Sequence, residues 1–184
     1  MERQVLLVID MQNDFVDPRG ALSFPQAREI ASFIRDKVKG ALEGGKEVIF
    51  TLDTHAPDDA EFKKFPPHCL EGSWGQELIP ELREVVGEVG EPRVRFLKKN
   101  RYSAFYNTPL DQWLGTAPGS PDPRPALVEV VGVCTNICVF FTVEELANRD
   151  VPVKVYRQGV ASFDPEAHRF ALEQMAKVLG AEIV

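Results

Sequence analysis

The sequence predicts a three-layer α/β/α fold around a mostly parallel sheet of about six strands. Four short apolar runs carry this prediction, at residues 5–9, 48–52, 94–97 and 127–133. They are rich in branched side chains and lack polar alternation, which indicates strands buried on both faces. Helix-like stretches separate the runs, as the crossovers of a parallel sheet require. The 184 residues contain no evident linker, so residues 1–184 are predicted to form one domain.

The first half of the chain reads as strand, helix, strand and long loop. The first apolar run stops at Asp10, so the amino-terminal segment is interpreted as a strand and not as a signal peptide. Apolar residues at helical spacing predict a helix over residues 27–42, which the glycine pair at 44–45 ends. After the second strand, residues 56–75 show neither the spacing of a helix nor the pattern of a strand and are predicted to form a long loop. Loops of this length in compact domains are often functional.

The second half continues the alternation. Residues 115–124 are rich in Pro, Gly and Ser and are predicted to form a surface loop between the third and fourth strands. Helical spacing returns over residues 136–149 and 165–179, with Gly180 just past the second of these helices. A shorter apolar run at residues 153–155 lies between them and predicts a fifth strand.

The composition argues against several classes of partner. A formal net charge of -7 opposes binding to nucleic acid, which needs a basic face. No apolar run approaches the ~20 residues that span a bilayer, so no membrane association is expected. The three cysteines show no disulfide-like spacing, which favours a reduced, cytoplasmic setting. The expected partner is a small-molecule substrate, and assembly into a homo-oligomer is left open.

Polar residues of four kinds stand at the ends of the predicted strands. The first strand ends at Asp10, the second is followed by Asp53 and His55, the third by Lys99, and the fourth by a turn that contains Cys138. Ligands bind outside the carboxyl ends of parallel strands, so these side chains are expected to converge. Each one alone has an ordinary structural explanation as a cap, a solvated charge or a small buried residue. A single functional site explains the polar residues at all four strand ends together and is preferred to four separate structural explanations.

The chemistry of these side chains favours a cysteine nucleophile. Cysteine attacks as its thiolate, which is scarce at neutral pH for a free thiol of pKa about 8.5. Either Thr135 or Asn136 can cap the next helix, placing Cys138 in its first turn, where the helix dipole favours a negative sulfur. Lys99 is expected to lower the thiol pKa further, and Asp10 to accept and relay the proton.

Two backbone groups complete this predicted centre. The N–H groups of Cys134 and Cys138 lie on the turn after the fourth strand. They are expected to face the oxyanion that forms when the sulfur adds to a carbonyl group.

A second centre is predicted in the loop after the second strand. Asp53 and His55 are two residues apart, so their side chains point the same way, and His68 follows the stiff Phe-Pro-Pro segment. Glu61 can add a carboxylate. Oxygen and imidazole donors together suit Zn, Mn or Fe(II). A hydrogen-bonded loop without metal explains the same residues equally well.

These residues, taken together, resemble the nicotinamidase branch of the isochorismatase-like cysteine hydrolases. The matching blocks follow the family's order along most of the chain: Val-Ile-Asp-Met-Gln-Asn-Asp-Phe at 8–15, Asp-Thr-His at 53–55, Phe-Pro-Pro-His-Cys at 65–69 with Gly72 and Gly75, Lys99 with Tyr-Ser-Ala-Phe at 102–105, and Gly-Val-Cys-Thr-Asn-Ile-Cys-Val at 132–139. Each block is weak alone, but the set is specific.

The resemblance assigns roles to individual residues. It implies catalytic roles for Asp10, Lys99 and Cys138, and metal-ligand roles for Asp53, His55 and His68. Where one branch of nicotinamidases has a further histidine this chain has Asp59, whereas Glu61 matches the glutamate of another branch. Glu61 is therefore the expected fourth ligand, with Asp59 in reserve, and zinc is preferred over manganese or iron. A cis peptide before Cys134 is also implied.

The resemblance further implies a flat heteroaromatic amide as substrate. Phe15, Phe65 and Tyr102 match the family's ring-packing positions. The expected reaction is hydrolysis of nicotinamide to nicotinate and ammonia through a cysteine thioester, as part of NAD salvage. One alternative is a related amidohydrolase that acts on carbamoyl, ureido or other small amides. An alternative of a different class is a non-catalytic module that binds metals or thiols.

Overall fold

The sheet is fully parallel and has six strands. A computed structural model describes residues 2–89 and 93–184, so residues 1 and 90–92 of the predicted domain lie outside the described residues. The strands are β1 (Gln4–Ile9), β2 (Glu47–Asp53), β3 (Val94–Lys99), β4 (Leu127–Val133), β5 (Val153–Ala161) and β6 (Glu182–Ile183). They pair in the order β3-β2-β1-β4-β5-β6, every pair parallel. The predicted sheet is confirmed.

Helices cover both faces of the sheet. They are α1 (Asn13–Val16), α2 (Pro25–Glu29), α3 (Ala31–Glu43), α4 (Pro80–Val89), α5 (Leu110–Trp113), α6 (Phe140–Asn148) and α7 (Pro165–Lys177). The first four contribute to the core on one face, and the last three to the core on the other. The three-layer architecture is therefore confirmed. None of the helices in the described ranges combines the length and apolarity needed to cross a bilayer.

Strand β1 lies at the centre of the core and alternates between the two layers. Leu6 and Val8 pack toward α3 and α4, whereas Val5, Leu7 and Ile9 pack toward α6 and α7. All five side chains are almost completely buried. Each such side chain contributes about 1.5–3 kcal/mol through burial, so the strand that carries Asp10 at its end is held rigidly.

Several element boundaries differ from the sequence prediction. The predicted helix over 27–42 is divided into α2 and α3 at Ile30, and the predicted helix over 136–149 begins as a π-helical turn, Thr135–Val139. Strand β5 extends to Ala161, well past the predicted end at residue 155. The prediction stopped too early because Arg157 and Gln158, within the strand, are polar and exposed and interrupt the apolar run. No predicted element covers the segments that form α1, α4, α5 and β6.

The two predicted loops differ in character. Residues 115–124 contain no helix or strand, which confirms the surface loop. Residues 56–75 contain two short 3₁₀ turns, Ala60–Lys63 and Trp74–Gln76. A β-bridge between His55 and Leu70 closes this loop at the carboxyl end of β2. The loop is therefore folded back against the edge of the sheet where the polar residues converge.

Candidate active site

The four predicted strand-end residues meet at one edge of the sheet. Asp10 directly follows β1, Asp53 ends β2, Lys99 ends β3, and Cys138 lies in the π-helical turn after β4. Because the strand order places β3, β2, β1 and β4 side by side, these side chains become neighbours. All four are buried. The predicted convergence is present in the structure.

Lys99 occupies the centre of this cluster. Its Nζ lies 2.7 Å from Asp10 Oδ2, 3.1 Å from Asp53 Oδ1 and 3.6 Å from Cys138 Sγ. Burial lowers the pKa of Lys99, but the two carboxylates outweigh it and raise the pKa well above its usual range. The amine therefore stays protonated and acts as a fixed cation between the acids and the thiol.

Asp10 is held in a conformation that few residues adopt. Its φ is +51°, in the left-handed region, immediately after a buried strand. Thr51 Oγ1 donates to Asp10 Oδ1 at 2.5 Å and accepts from the Asp10 backbone N–H at 3.0 Å. Oδ2 contacts the Lys99 ammonium, yet no donor in the described residues reaches it with good hydrogen-bond geometry. Burial raises the pKa of Asp10 against the opposing effect of Lys99, so this oxygen is suited to receive a proton.

The surroundings of Cys138 differ from the prediction. The π-helical turn begins after Cys134 and has no side-chain cap, so the predicted capping by Thr135 or Asn136 is wrong. Both side chains bond elsewhere: Thr135 Oγ1 lies 2.8 Å from His168 Nδ1, and Asn136 Oδ1 accepts from the hydroxyl of Ser162, directly after β5. Burial raises the pKa of the Cys138 thiol well above its usual range, although Lys99 opposes this. The thiol therefore rests protonated and needs a base.

The backbone of the turn presents a free donor at Cys134. Within the described parts of the chain, the N–H group of Cys134 donates to no acceptor, although the N–H groups of Ile137 and Val139 both donate to the Cys134 carbonyl oxygen. The Val133–Cys134 peptide is cis, as the resemblance implied. The predicted role of the Cys134 and Cys138 N–H groups in binding a developing oxyanion stays a prediction.

Asp53, His55 and His68 form the second predicted centre, hereafter the metal-ligand group. Their donor atoms all lie within 4.8 Å of one another. The Nε2 atoms of His55 and His68 lie 2.9 and 3.3 Å from Asp53 Oδ2. Burial raises the pKa of Asp53, but Lys99 and both histidines outweigh it and hold the pKa well below its usual range, so Asp53 is ionised.

The other ring nitrogen of each histidine, Nδ1, also has a hydrogen-bond partner. His55 Nδ1 lies 2.9 Å from Asp59 Oδ2, and His68 Nδ1 lies 2.7 Å from the carbonyl oxygen of Pro66. A histidine that binds a metal normally donates its other ring N–H to such an acceptor, which fixes its tautomer and orientation. One carboxylate and two imidazoles oriented in this way fit a divalent cation, with zinc among the candidates.

Glu61 and Asp59 lie beside this group in different ways. Asp59 accepts a hydrogen bond from His55 Nδ1 and pairs with Arg101 at 3.1 Å, so it orients the imidazole ring of His55. Glu61 is buried and has Lys64 Nζ 3.3 Å from its Oε2. The three-residue group does not include it, and its role as fourth ligand stays a prediction.

A cavity of about 380 Å³ joins the two centres. It is lined by Cys138, by the metal-ligand group and by the three predicted aromatic residues, Phe15, Phe65 and Tyr102. Phe15 and Phe65 present their rings edge-on to His68, with centroids 5.6 and 6.3 Å away. Flat apolar walls with a few convergent polar groups are typical of a site for a small planar molecule.

Sequence reasoning missed part of this cavity. Phe24 and Phe163 line it and form an edge-to-face pair with ring centroids 6.0 Å apart. It also gave no role to Gln12, which is fully buried and clamps the end of β2: its Nε2 donates to the Asp53 carbonyl oxygen at 2.9 Å, and its Oε1 accepts from the Asp53 N–H at 2.8 Å. A glutamine two residues after the candidate acid was the available signal.

The fold and the site together are those of a hydrolase built on a parallel α/β sheet. The chain belongs to the isochorismatase family, because the model of the isochorismatase domain matches residues 4–183. It is 33% identical to the Bacillus subtilis isochorismatase family protein PncA over 98% of both chains. The crystal structure of nicotinamidase/pyrazinamidase PncA from Bacillus subtilis has a TM-score of 0.90 at 33% identity and 99% coverage of both chains.

Two further solved structures bear on the site. The pyrazinamidase/nicotinamidase from Streptococcus mutans has a TM-score of 0.90 at 34% identity, covering 98% of this chain and 99% of its own. The pyrazinamidase of Pyrococcus horikoshii, solved in complex with zinc, has a TM-score of 0.84 at 28% identity, covering 99% of this chain and 98% of its own.

Proposed function

We propose that this protein is a nicotinamidase, which hydrolyses nicotinamide to nicotinate and ammonia. The observation that carries this proposal is the cavity that Cys138 shares with the metal-ligand group and the aromatic walls, with Lys99 and Asp10 buried next to the thiol. The relatives whose names include nicotinamidase and pyrazinamidase support it. The nicotinate produced would enter NAD salvage. A cytoplasmic setting, favoured by three free cysteines, is part of the same proposal.

The first step is attack by sulfur on the carboxamide carbon. Asp10 removes the proton from the Cys138 thiol as the S–C bond forms, and the carbonyl electron pair moves to oxygen. The N–H groups of Cys134 and Cys138 then hold the oxyanion. Lys99 keeps its positive charge throughout and stabilises the negative charge on either Asp10 or Cys138.

The second step releases ammonia and restores the thiol. Protonated Asp10 gives its proton to the leaving nitrogen while the C–N bond breaks, which leaves a thioester on Cys138. Asp10, ionised again, takes a proton from water, whose oxygen attacks the thioester carbon. The C–S bond breaks, nicotinate leaves, and the proton returns to sulfur. The balance is one amide and one water consumed, and one acid and one ammonia formed.

The metal-ligand group holds the substrate in register in this proposal. Asp53, His55 and His68, with Glu61 as fourth ligand, would bind one divalent ion, zinc by preference. When bound, such an ion supplies a Lewis-acid position for a ring nitrogen. Phe15, Phe65 and Tyr102 contribute apolar walls for the ring, so that the carboxamide faces Cys138.

A panel of small amides tests the proposal against its alternatives. N-carbamoylsarcosine amidase from Thermoplasma acidophilum is similar in structure at 28% identity and a TM-score of 0.82, so a carbamoyl substrate is the rival. We expect the protein to release ammonia from nicotinamide. A chelator is expected to abolish this activity, and added zinc to restore it. Preference for ureido or carbamoyl compounds that is indifferent to chelator would favour the rival. Absence of turnover on the whole panel would favour a binding module.

A further inference from the structure

The carboxylate of Asp14 joins two separate segments of the cavity wall. Its Oδ1 accepts from the Ala21 N–H at 3.0 Å, and its Oδ2 accepts from the Cys69 N–H at 2.7 Å. Residues 21–24 line the cavity, and Cys69 directly follows His68 of the metal-ligand group. Asp14 itself lines no part of the cavity and touches neither the thiol nor the metal-ligand side chains, so the proposed reaction does not use it.

Cys69 connects the two histidine-bearing segments. Its carbonyl oxygen accepts from the His55 N–H at 3.0 Å, so the backbones that carry the two histidines meet at this residue. Cys69 has a φ of +45°, which side-chain-bearing residues adopt at a cost and which reverses the chain after His68. The hydrogen bond from its N–H to Asp14 is therefore placed where it can hold this strained turn, and with it both rings.

The chain leaves space for the carboxylate at Gly75. A Cβ atom at this position would overlap the Asp14 carboxylate, whereas the φ of Gly75 is not in the left-handed region. The glycine is required here for room and not for backbone conformation. Gly75 belongs to the motif blocks that carry the family resemblance, and neither the metal-ligand group nor the catalytic residues give it a function.

We propose that Asp14 is a positioning residue for the metal-ligand group, acting on His55 and His68 through Cys69. The inference rests on the proposed function only in taking that group to bind a divalent ion. A charged acceptor makes a stronger hydrogen bond to an amide than a neutral one does. Residues that orient metal ligands from behind typically change metal affinity by about 10- to 100-fold when removed.

The test compares the zinc affinity of four variants with that of the wild type, using competition with a chromogenic chelator. Asp14→Ala removes the acceptor, Gly75→Ala displaces it, and the double variant does both. Asp17→Ala is the matched control, because Asp17 lies on the same segment and, among the described residues, its carboxylate bonds only to exposed Arg19. We expect both single variants to weaken zinc binding about 10- to 100-fold, and the control to leave it unchanged.

The double variant gives a sharper readout than either single one. Because both changes remove the same contact, the double variant is expected to bind zinc about as weakly as Asp14→Ala, and not with the sum of the two losses. Amide hydrogen exchange on metal-free protein adds a measurement that needs no ion: the Cys69 and Ala21 amides exchange faster in Asp14→Ala than in the control. If Asp14→Ala fails to fold, Gly75→Ala decides.

Three results would overturn the proposal: unchanged zinc affinity in folded Asp14→Ala or Gly75→Ala, unchanged exchange at Cys69, or a wild type that binds no zinc. Nicotinamide turnover is measured separately. Zinc binding that depends on Asp14, in a protein that releases no ammonia from nicotinamide, leaves this inference standing and refutes the proposed function.

Discussion

Replacing Lys99 with methionine tests whether one buried cation holds the site together. The variant keeps a side chain of similar length but leaves the carboxylates of Asp10 and Asp53, 2.7 and 3.1 Å from Nζ, buried without their partner. Breaking a buried ion pair by removing one member costs about 3–5 kcal/mol. For an unfolding slope of about 2 kcal/mol per molar urea, the midpoint falls by about 1.5–2.5 M.

Lys98→Met is the matched control for this experiment. Lys98 precedes Lys99 on β3, is exposed, and pairs with exposed Glu71 at 2.8 Å. Solvent screens such a pair, so its loss is expected to change stability little. Urea unfolding of both metal-free variants, followed by circular dichroism, gives the midpoints, and ammonia release gives the activity. A Lys99→Met midpoint equal to that of the control, or retained turnover, would refute the role of Lys99.

Three further predictions concern the reaction itself. Cys138→Ala abolishes ammonia release without unfolding the protein, as ammonia assays and circular dichroism would show. Substantial turnover by this variant excludes the thioester. Thr51→Val removes a hydroxyl whose hydrogen bond lowers the pKa of Asp10, so the pKa of Asp10 is expected to rise. The acid limb of the pH profile of kcat/KM then moves to higher pH. A limb that does not move argues against Asp10 as the base. Chelation removes nicotinamide turnover and added zinc restores it, as a coupled ammonia assay would show; turnover that survives chelation means that the metal-ligand group has another function.

The convergence of Asp10, Asp53, Lys99 and Cys138 could be predicted because it depends on topology alone. In a parallel sheet all carboxyl ends share one edge, so residues that follow four strands become neighbours without any knowledge of loop conformation. The metal-ligand group could be predicted for a related reason. Two of its members lie at the end of β2, and the third was indicated by residue type and by resemblance.

The pKa of Cys138 could not be predicted in the same way. Position on a helix suggested a depressed pKa, but burial is a property of the whole packed core and cannot be read from a short segment. The contact of Asp14 with Cys69 was missed for a different reason. It depends on how residues 56–75 fold back against the edge of the sheet, and that loop has no periodicity from which its path could be derived.

Segment boundaries failed where one residue changes the helical geometry. Ile30, with φ -85° and ψ -9°, ends α2 and begins α3, yet its apolar side chain fits the helical spacing on both sides. The π-helical turn before α6 likewise preserves an apolar stripe while altering the hydrogen-bond pattern. The periodicity of side chains records which face is buried and is insensitive to such local changes in the backbone.

Burial of the whole cluster also explains how a protonated thiol can be the nucleophile. Desolvation raises the pKa of Cys138, so the proton rests on sulfur, and it also raises the pKa of Asp10, which makes that carboxylate a stronger base for the thiol. Lys99 Nζ lies 2.7 Å from Asp10 Oδ2 and 3.6 Å from Cys138 Sγ, so the ammonium is paired whether the negative charge lies on oxygen or on sulfur. Transfer of the proton therefore leaves the net charge of the cluster unchanged and requires little reorganisation. A permanently ionised thiolate would instead have to be stabilised in the core before any substrate arrived, whereas this arrangement forms it only as sulfur attacks.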